Sequence, residues 1–209
     1  MTVSGDDGES TIQRIQDIVA VFVLSITAVL TAWCGFEASK WGGEMSIAFS
    51  QASSARIQST AAEGEAQSAR QLDLSVYTLW IGAKADEDDR LADYVEARFT
   101  PWFTPAYEAW VADGMVENSP FAREEYVPPG TEEAVELSET ADEKFAAALE
   151  NNQRGDDYSL LTVMFALVLF LTAMSQRDVK TWVGRALLGM AVVLDIVGIA
   201  ILLTFPIKI

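Results

Sequence analysis

The chain has 209 residues, half of them hydrophobic, and a formal net charge of −17 at pH 7. It has no histidine and only one cysteine, which excludes Ser-His-Asp and Cys-His arrangements, a histidine metal site and an intrachain disulfide. Strongly acidic composition also argues against nucleic acid as a partner, because phosphate backbones are repelled.

Three apolar runs, at residues 15–36, 158–175 and 186–205, are long enough to cross a bilayer as helices. About 20 residues are needed to span ~30 Å of hydrocarbon. The first run is longer than the core of a signal peptide and has neither a basic leader nor a convincing A-x-A cleavage site. We therefore expect it to stay in the protein as transmembrane helix 1.

Basic residues beside the spans predict the orientation. The connection at residues 176–185 contains Arg177, Lys180 and Arg185, and Arg14 precedes the first span on the same side. Basic residues favour the cytoplasmic side. We expect a multi-pass protein of the cell membrane, with the N-terminus and loop 176–185 cytoplasmic and residues 37–157 extracytoplasmic. Residues 1–10 are polar and are predicted to be disordered.

Acidity is concentrated in the predicted extracytoplasmic domain. Residues 37–157 contain 25 acidic and 9 basic residues, a net charge of −16. Two interpretations stay open: adaptation of a solvated surface to high salt, or a vestibule that attracts cations.

The first span has no strong helix breaker after it. Only Gly42 and Gly43 weaken the pattern, and no proline occurs before Pro101, which predicts a long helix continuous with span one. Small residues recur along it at intervals of three and four: Ser25, Ala28, Ala32, Gly35, Ser39 and Gly42. Such a stripe lets helices approach closely in lipid, so we expect a homo-oligomer, although an Ala/Ser/Gly-rich stretch also produces this spacing by chance.

Outside the membrane, alanine occupies the contact positions of a heptad pattern. The series is Ala48, Ala52, Ala55, Ser59, Ala62, Ala66 and Ala69, with larger core residues expected at Leu72, Val76, Leu79 and Trp80. A return helix begins at Thr131, with an apolar stripe at Ala134, Leu137, Ala141, Phe145 and Ala148 and a kink expected at residues 151–157. The predicted fold class is an all-α membrane protein: three transmembrane helices plus an elongated antiparallel helical bundle outside the bilayer.

The segment between these helices is irregular. A turn is expected at residues 84–89, where a calcium loop is the weaker alternative because Arg90 occupies the third ligand position and the loop glycine is missing. Aromatic residues and prolines then concentrate in residues 99–126. We expect the rings to form a core that caps the bundle; the alternative is a surface for a protein partner.

Residues Trp33–Glu44 read WCGFEASKWGGE, and two further stretches, Arg98–Trp110 and Thr204–Pro206, complete a set of motifs spread over nearly the whole chain. Together they resemble a family of uncharacterised prokaryotic three-span membrane proteins with the signature W-x-G-x-x-A-x-x-W-x-G-E. Cys34 stands where a serine is expected. The family has no known activity, so the resemblance implies no functional residue.

Asp195 is the one residue whose position calls for a special explanation. It is the tenth of twenty residues in the third span, where an ionisable group costs at least about 2.5–3.5 kcal/mol unless it is satisfied. Thr27 lies at a similar depth in span one. Either Asp195 is protonated and hydrogen-bonded to a span-one hydroxyl, or it lines a hydrated path.

Two functional hypotheses follow. The preferred one is a structural, interaction or sensing component that self-associates; the alternative is an oligomer that conducts protons or cations through Asp195. With no glycine-rich phosphate loop and no carboxylates paired for acid–base work, we expect neither an enzyme nor a cofactor or metal site.

Overall fold

The structure is a computed structural model that describes residues 6–177 and 180–208, with side chains from residue 13 onward. Within these residues it contains helices and no strand. The helices are α1 (Asp6–Ala85), α2 (Asp89–Glu96), α3 (Thr104–Ala112), a 3₁₀ turn (Pro120–Ala122), α4 (Thr131–Ser175) and α5 (Thr181–Leu202). Three of them, α1, α4 and α5, are long and apolar enough to cross a membrane.

Helix α1 includes both the first apolar run and the alanine-rich segment. It continues through Gly42 and Gly43, in agreement with the absence of proline. Residues 1–10 are predicted from the sequence to be disordered. Residues 1–5 lie outside the described part of the chain, whereas residues 6–10 belong to α1, which begins at Asp6.

Two further boundaries differ from the expected ones. Helix α4 continues through residues 151–157, so the predicted kink is not a break in the helix. Gly155 lies against α1 there, since a Cβ at this position would be 3.5 Å from the carbonyl oxygen of Ala38. Helix α5 begins at Thr181 and ends at Leu202, four residues before Pro206, which lacks the N–H that a helix requires.

The chain divides into two compact units. Unit 1 comprises the residues up to Ala48 and those from Ala146 onward. Its helices bury residues three and four apart: Leu161, Phe165 and Val168 on α4, and Leu188, Ala191, Asp195 and Gly198 on α5. This spacing is that of packed helix faces. At Gly198 the approach is close, because a Cβ would lie 2.7 Å from the ring of Phe165.

Unit 2, residues Phe49–Phe145, contains the alanine contact between α1 and α4. Ala52, Ala55, Ser59 and Ala62 are buried, as are Ala134 and Ala141 on α4. The backbones come close enough for Ser59 Oγ to donate to the carbonyl of Ala134 at 2.9 Å. The two helices are antiparallel here, because Arg56 reaches Ser138 and Asp142 while Ser59 reaches Ala134.

The core of unit 2 is aromatic. Its buried members are Tyr77, Trp80, Ala83, Ala92, Val95, Phe103, Tyr107 and Trp110. Two residues expected in this core, Leu72 and Leu79, are 53% and 64% exposed. The buried positions of α1 continue the alanine spacing instead, through Asp73, Tyr77 and Trp80, because that spacing keeps one face of the helix toward its neighbours.

Candidate functional site

The structure brings Asp195 and Thr27 together inside unit 1. Thr27 Oγ1 donates to Asp195 Oδ1 at 2.9 Å, and the two residues are 0% and 7% exposed. One turn away, Thr31 Oγ1 donates to the carbonyl oxygen of Thr27 at 2.7 Å. The hydroxyl of Thr27 therefore satisfies one carboxyl oxygen of Asp195 within the packed helices, which lowers the cost of placing an acid in an apolar span.

The neighbours of this pair along the same helix faces are apolar. Val23 and Ala191, one turn from Thr27 and Asp195 respectively, join Val168 and Leu171 in one buried cluster. The arrangement links α1 to α5 by one hydrogen bond surrounded by close packing. A polar pair of this kind fixes the rotation of two helices about their axes.

The small-residue stripe of α1 does not lie on the face that packs in its own chain. Ser25, Ala28, Ala32, Gly35 and Ser39 are exposed and Gly42 is half-buried. The buried face of this part of α1 consists of Ala20, Val23, Thr27, Cys34, Glu37 and Trp41. From Ser25 to Ser39 the stripe is therefore exposed within unit 1, and only Gly42 at its end lies near α4, where a Cβ built on Gly155 would be 3.8 Å from its backbone nitrogen.

A second polar cluster, which the sequence reasoning missed, surrounds Glu37. This carboxyl is 0% exposed, and its Oε2 accepts the backbone N–H of Lys208 at 3.0 Å. Nearby, the hydroxyl of Tyr158 donates to the carbonyl of Pro206 at 3.0 Å, and Lys208 Nζ lies 3.3 Å from Glu44. The segment that follows α5 is thus attached to α1 by Glu37 and Glu44 and to α4 by Tyr158.

Glu37 Oε1 and Trp41 Nε1 are buried and have no hydrogen-bond partner among the residues that the structure describes. The centroid of the Trp41 ring lies near two cations, 4.6 Å from the guanidinium carbon of Arg154 and 5.4 Å from Lys208 Nζ. A sequence signal for this cluster existed: Cys34, Glu37 and Trp41 continue the three-and-four spacing of the buried face. The boundary predicted from the sequence instead places Glu37 in the acidic domain, as its first residue.

Two carboxylates, those of buried Asp73 and exposed Glu96, accept hydrogen bonds from the aromatic core of unit 2. Asp73, 2% exposed, accepts hydrogen bonds from Thr100 Oγ1 (2.6 Å), Trp102 Nε1 (2.8 Å) and the hydroxyl of Tyr126 (2.9 Å). Glu96 accepts in the same way from Trp80 and Tyr107. These bonds join α1 to the irregular segment that follows α2 and stabilise a single arrangement of the rings.

The two tyrosines in these networks have perturbed acidity. Burial raises the pKa of Tyr107 well above its usual range, and its hydrogen bond to Glu96 raises it further. Burial and the hydrogen bond to Asp73 act on the pKa of Tyr126 in the same direction. Both hydroxyls therefore stay protonated as hydrogen-bond donors at neutral pH.

The aromatic segment 99–126 points most of its rings inward. Phe103, Tyr107 and Trp110 are buried, and Phe99, Trp102, Phe121 and Tyr126 pack against them.

The acids at residues 86–89 lie between the end of α1 and the start of α2. Asp88 caps α2 by accepting the N–H of Leu91, and Asp89 forms an ion pair with Lys84. In the part of the chain that the structure describes, no group of three or more acidic or cysteine side chains is arranged to hold a metal ion.

The fold and these clusters define a class: an all-helical protein with three helices that are long and apolar enough to cross a membrane. Comparisons with protein-family models, curated proteins and solved structures give no match.

Proposed function

We propose that the protein is a multi-pass membrane component with a structural, interaction or sensing role, and that it self-associates through the small-residue face of α1. The supporting observation is that this face is left uncovered by the protein's own helices, while the opposite side of α1 is buried. Small residues allow two backbones to approach closely in lipid, where packing drives helix association.

The exposed surface of α1 in this region has two different parts. Bulky side chains, Phe22, Val29 and Phe36, are 51–69% exposed and suit contact with lipid tails. Ser25, Ala32 and Gly35 lie beside them on the helix and offer almost no side chain. A Cβ built on Gly35 meets nothing within 4 Å, so the monomer does not need glycine at this position. Close approach of a second copy is a reason for a small residue there.

Disulfide cross-linking in lipid bilayers tests this proposal. Cys34 is buried, and its replacement by serine gives a cysteine-free background. In that background Ala32→Cys is expected to form a cross-linked dimer rapidly, and the matched variant Val29→Cys, on the bulky side, is expected to do so slowly. Equal rates, or no dimer from Ala32→Cys, would contradict the proposed face.

A substitution provides a second readout. Gly35→Leu adds a side chain that the monomer accommodates, so we expect an intact helical monomer whose dimer or higher oligomer is at least tenfold weaker, about 1.4 kcal/mol. Val29→Leu is the control on the lipid side. The measurement is mass by light scattering over a range of detergent-to-protein ratios.

We further propose that the protein lies in the cell membrane with the N-terminus and residues 176–185 cytoplasmic, and with residues 37–157 outside as an antiparallel helical bundle. The basic residues of the 176–185 connection support this orientation. Val116 is 82% exposed, so a cysteine there is expected to react with a membrane-impermeant thiol reagent added to whole cells. Labelling only after lysis would reverse the orientation.

We also propose that residues 99–126 contact a protein partner. Since most of its rings are buried, such a partner would contact the exposed apolar residues Val111, Met115 and Val116.

Conduction through Asp195 is the alternative function. It has less support, because Thr27 already donates to Asp195 and the adjacent helix faces are apolar. On the preferred proposal, reconstituted protein shows no current in planar bilayers, and Asp195→Asn leaves assembly intact. A proton or cation flux that Asp195→Asn abolishes would instead establish the alternative.

A further inference from the structure

A polar cleft of about 250 Å³ lies at one end of unit 1. It is formed by the beginning of α1, the residues at the end of α4 and the first turns of α5. The polar side chains that matter for its chemistry are Gln13, Gln16, Asp17, Gln176, Arg177 and Arg185. None of these residues belongs to the Asp195 or Glu37 clusters described above.

The cleft lies where all three apolar runs begin or end. Asp17 lies near the start of the first run, which is uncharged from Ile18 onward, and Arg185 directly precedes the third, which starts at Ala186. Arg177 follows the second run, which ends at Ser175. If these helices cross a bilayer, the cleft lies at the depth of the lipid headgroups, just outside the hydrocarbon.

The side chains of the cleft suit a phosphate group. Arg177 and Arg185 each present a planar guanidinium, whose paired N–H groups match the oxygens of a phosphate. The side-chain amides of Gln13 and Gln176 add neutral donors. The positive end of the α5 dipole adds to the attraction, since Thr181, the first residue of α5, also lines the cleft.

The charge of the lining favours an anion. Among the described residues that line the cleft, two arginines and Asp17 give a formal net charge of +1. At the depth of the headgroups, the anion nearest to hand is the phosphodiester of a lipid, whose single negative charge balances this value. The cleft, at about 250 Å³, is smaller than the ~300–1,000 Å³ of usual small-molecule sites. This small volume favours a lipid headgroup, because the acyl chains of the lipid remain in the bilayer.

We propose that this cleft binds the phosphodiester of a phospholipid headgroup, with Arg177 and Arg185 on the phosphate oxygens. This inference requires insertion into a membrane but not self-association. The two proposals therefore fail separately: lipid binding is measured on the monomer, and the α1 face is tested by cross-linking.

Native mass spectrometry of the full chain, released from detergent micelles, tests the proposal. The probes are phosphatidylglycerol, a phosphate-free diacyl glycolipid of matched chain length, and inorganic phosphate as a competitor. We expect the monomer to retain phosphatidylglycerol in preference to the glycolipid, with little competition from inorganic phosphate. The double variant Arg177→Gln/Arg185→Gln is expected to bind phosphatidylglycerol at least tenfold more weakly, and each single variant severalfold more weakly.

Arg14→Gln is the matched control, because Arg14 adjoins Gln13 but does not line the cleft. It removes the same charge at the same end of the protein and is expected to leave binding within about twofold. Asp17→Asn removes the negative charge of the lining and is expected to leave phosphatidylglycerol bound at least as tightly as in the unaltered chain. Circular dichroism and elution volume check that each variant is folded, and the single arginine variants provide the test if the double variant is not.

Three results would overturn the proposal. Equal retention of the glycolipid would mean that the phosphate is not recognised. If Arg14→Gln weakened lipid binding as much as Arg177→Gln or Arg185→Gln, the binding would be due to general charge attraction and not to the cleft. Displacement of lipid from the unaltered chain by equimolar inorganic phosphate would assign the cleft to free phosphate.

Discussion

Gly130 is the residue on which the close approach of α1 and α4 in unit 2 depends most directly. Its φ is +84°, and a Cβ there would be 2.4 Å from the carbonyl oxygen of Ala62 and 3.3 Å from the backbone nitrogen of Ala66. Its own carbonyl accepts the N–H of Ala134 in the first turn of α4. Gly130→Ala therefore perturbs both the backbone conformation and the contact between the helices.

The two effects are separable. An L-residue in the left-handed region costs about 1–2 kcal/mol, partly offset by about 0.4–1 kcal/mol from the lower entropy of the unfolded chain. Gly114 has φ +73° and open space around its Cβ position, so Gly114→Ala measures this first effect alone. At Gly130 the helices must also separate by at least about 0.6 Å to bring the 2.4 Å contact to 3.0 Å, and overpacking of this kind costs about 1–3 kcal/mol.

Denaturant unfolding of the full chain in detergent, followed by the near-ultraviolet circular dichroism of the aromatic core, measures both variants. We expect Gly130→Ala to be less stable than Gly114→Ala by about 1–3 kcal/mol. Gly64→Ala, in the exposed interior of α1, is a third reference and is expected to stabilise the protein by about 0.5–1 kcal/mol. Equal loss in the two turn variants, within about 0.5 kcal/mol, would refute the close helix contact.

Three further predictions concern the buried polar groups. In the spans, Thr27→Val removes the hydroxyl that donates to Asp195. A double-mutant cycle with Asp195→Asn, measured by thermal unfolding in detergent, is expected to give a coupling free energy of about 0.6–1.7 kcal/mol. A coupling of zero would contradict this hydrogen bond. In unit 2, Asp73→Ala leaves three half-buried donors without their acceptor and is expected to cost about 3 kcal/mol. The exposed control Asp89→Asn is expected to cost less than about 0.5 kcal/mol, and denaturant unfolding measures both variants. The pKa of Tyr107 and of Tyr126 is raised in the folded state. The contribution of these tyrosines to stability is therefore constant below the unfolded pKa of about 10 and is lost as pH rises above it, because the unfolded chain releases these protons first. Denaturation midpoints between pH 8 and 11 measure this fall, and Tyr126→Phe is expected to reduce it; an unchanged slope in that variant would contradict the assignment to Tyr126.

Several features of this protein follow from local pattern alone. Long uncharged runs predict helices able to cross a membrane, and the three helices that the structure contains there agree with them. Alanine at every third and fourth position predicts a buried contact, and Ala52, Ala55 and Ala62 are buried. The pattern carries this information because helix geometry repeats every 3.6 residues and an alanine contact needs no particular partner side chain.

Tertiary structure decided which of several similar faces is used. The small residues from Ser25 to Ser39 and the face containing Thr27, Cys34 and Glu37 both repeat at three and four residues, but only the second is buried. The choice depends on the shapes of α4 and α5, which lie more than a hundred residues away in sequence. No periodicity within α1 contains that information.

Buried acids show the same limit. Asp73 and Glu37 are two of 31 acidic residues, and composition marks neither of them. Their partners, Thr100, Trp102 and Tyr126 for Asp73 and the backbone of Lys208 for Glu37, come from distant parts of the chain. The sequence by itself determined the solvent that each helix suits, because burial of apolar surface is additive along a segment. Only the folded chain determined which polar atoms meet, because a hydrogen bond depends on the positions of both partners.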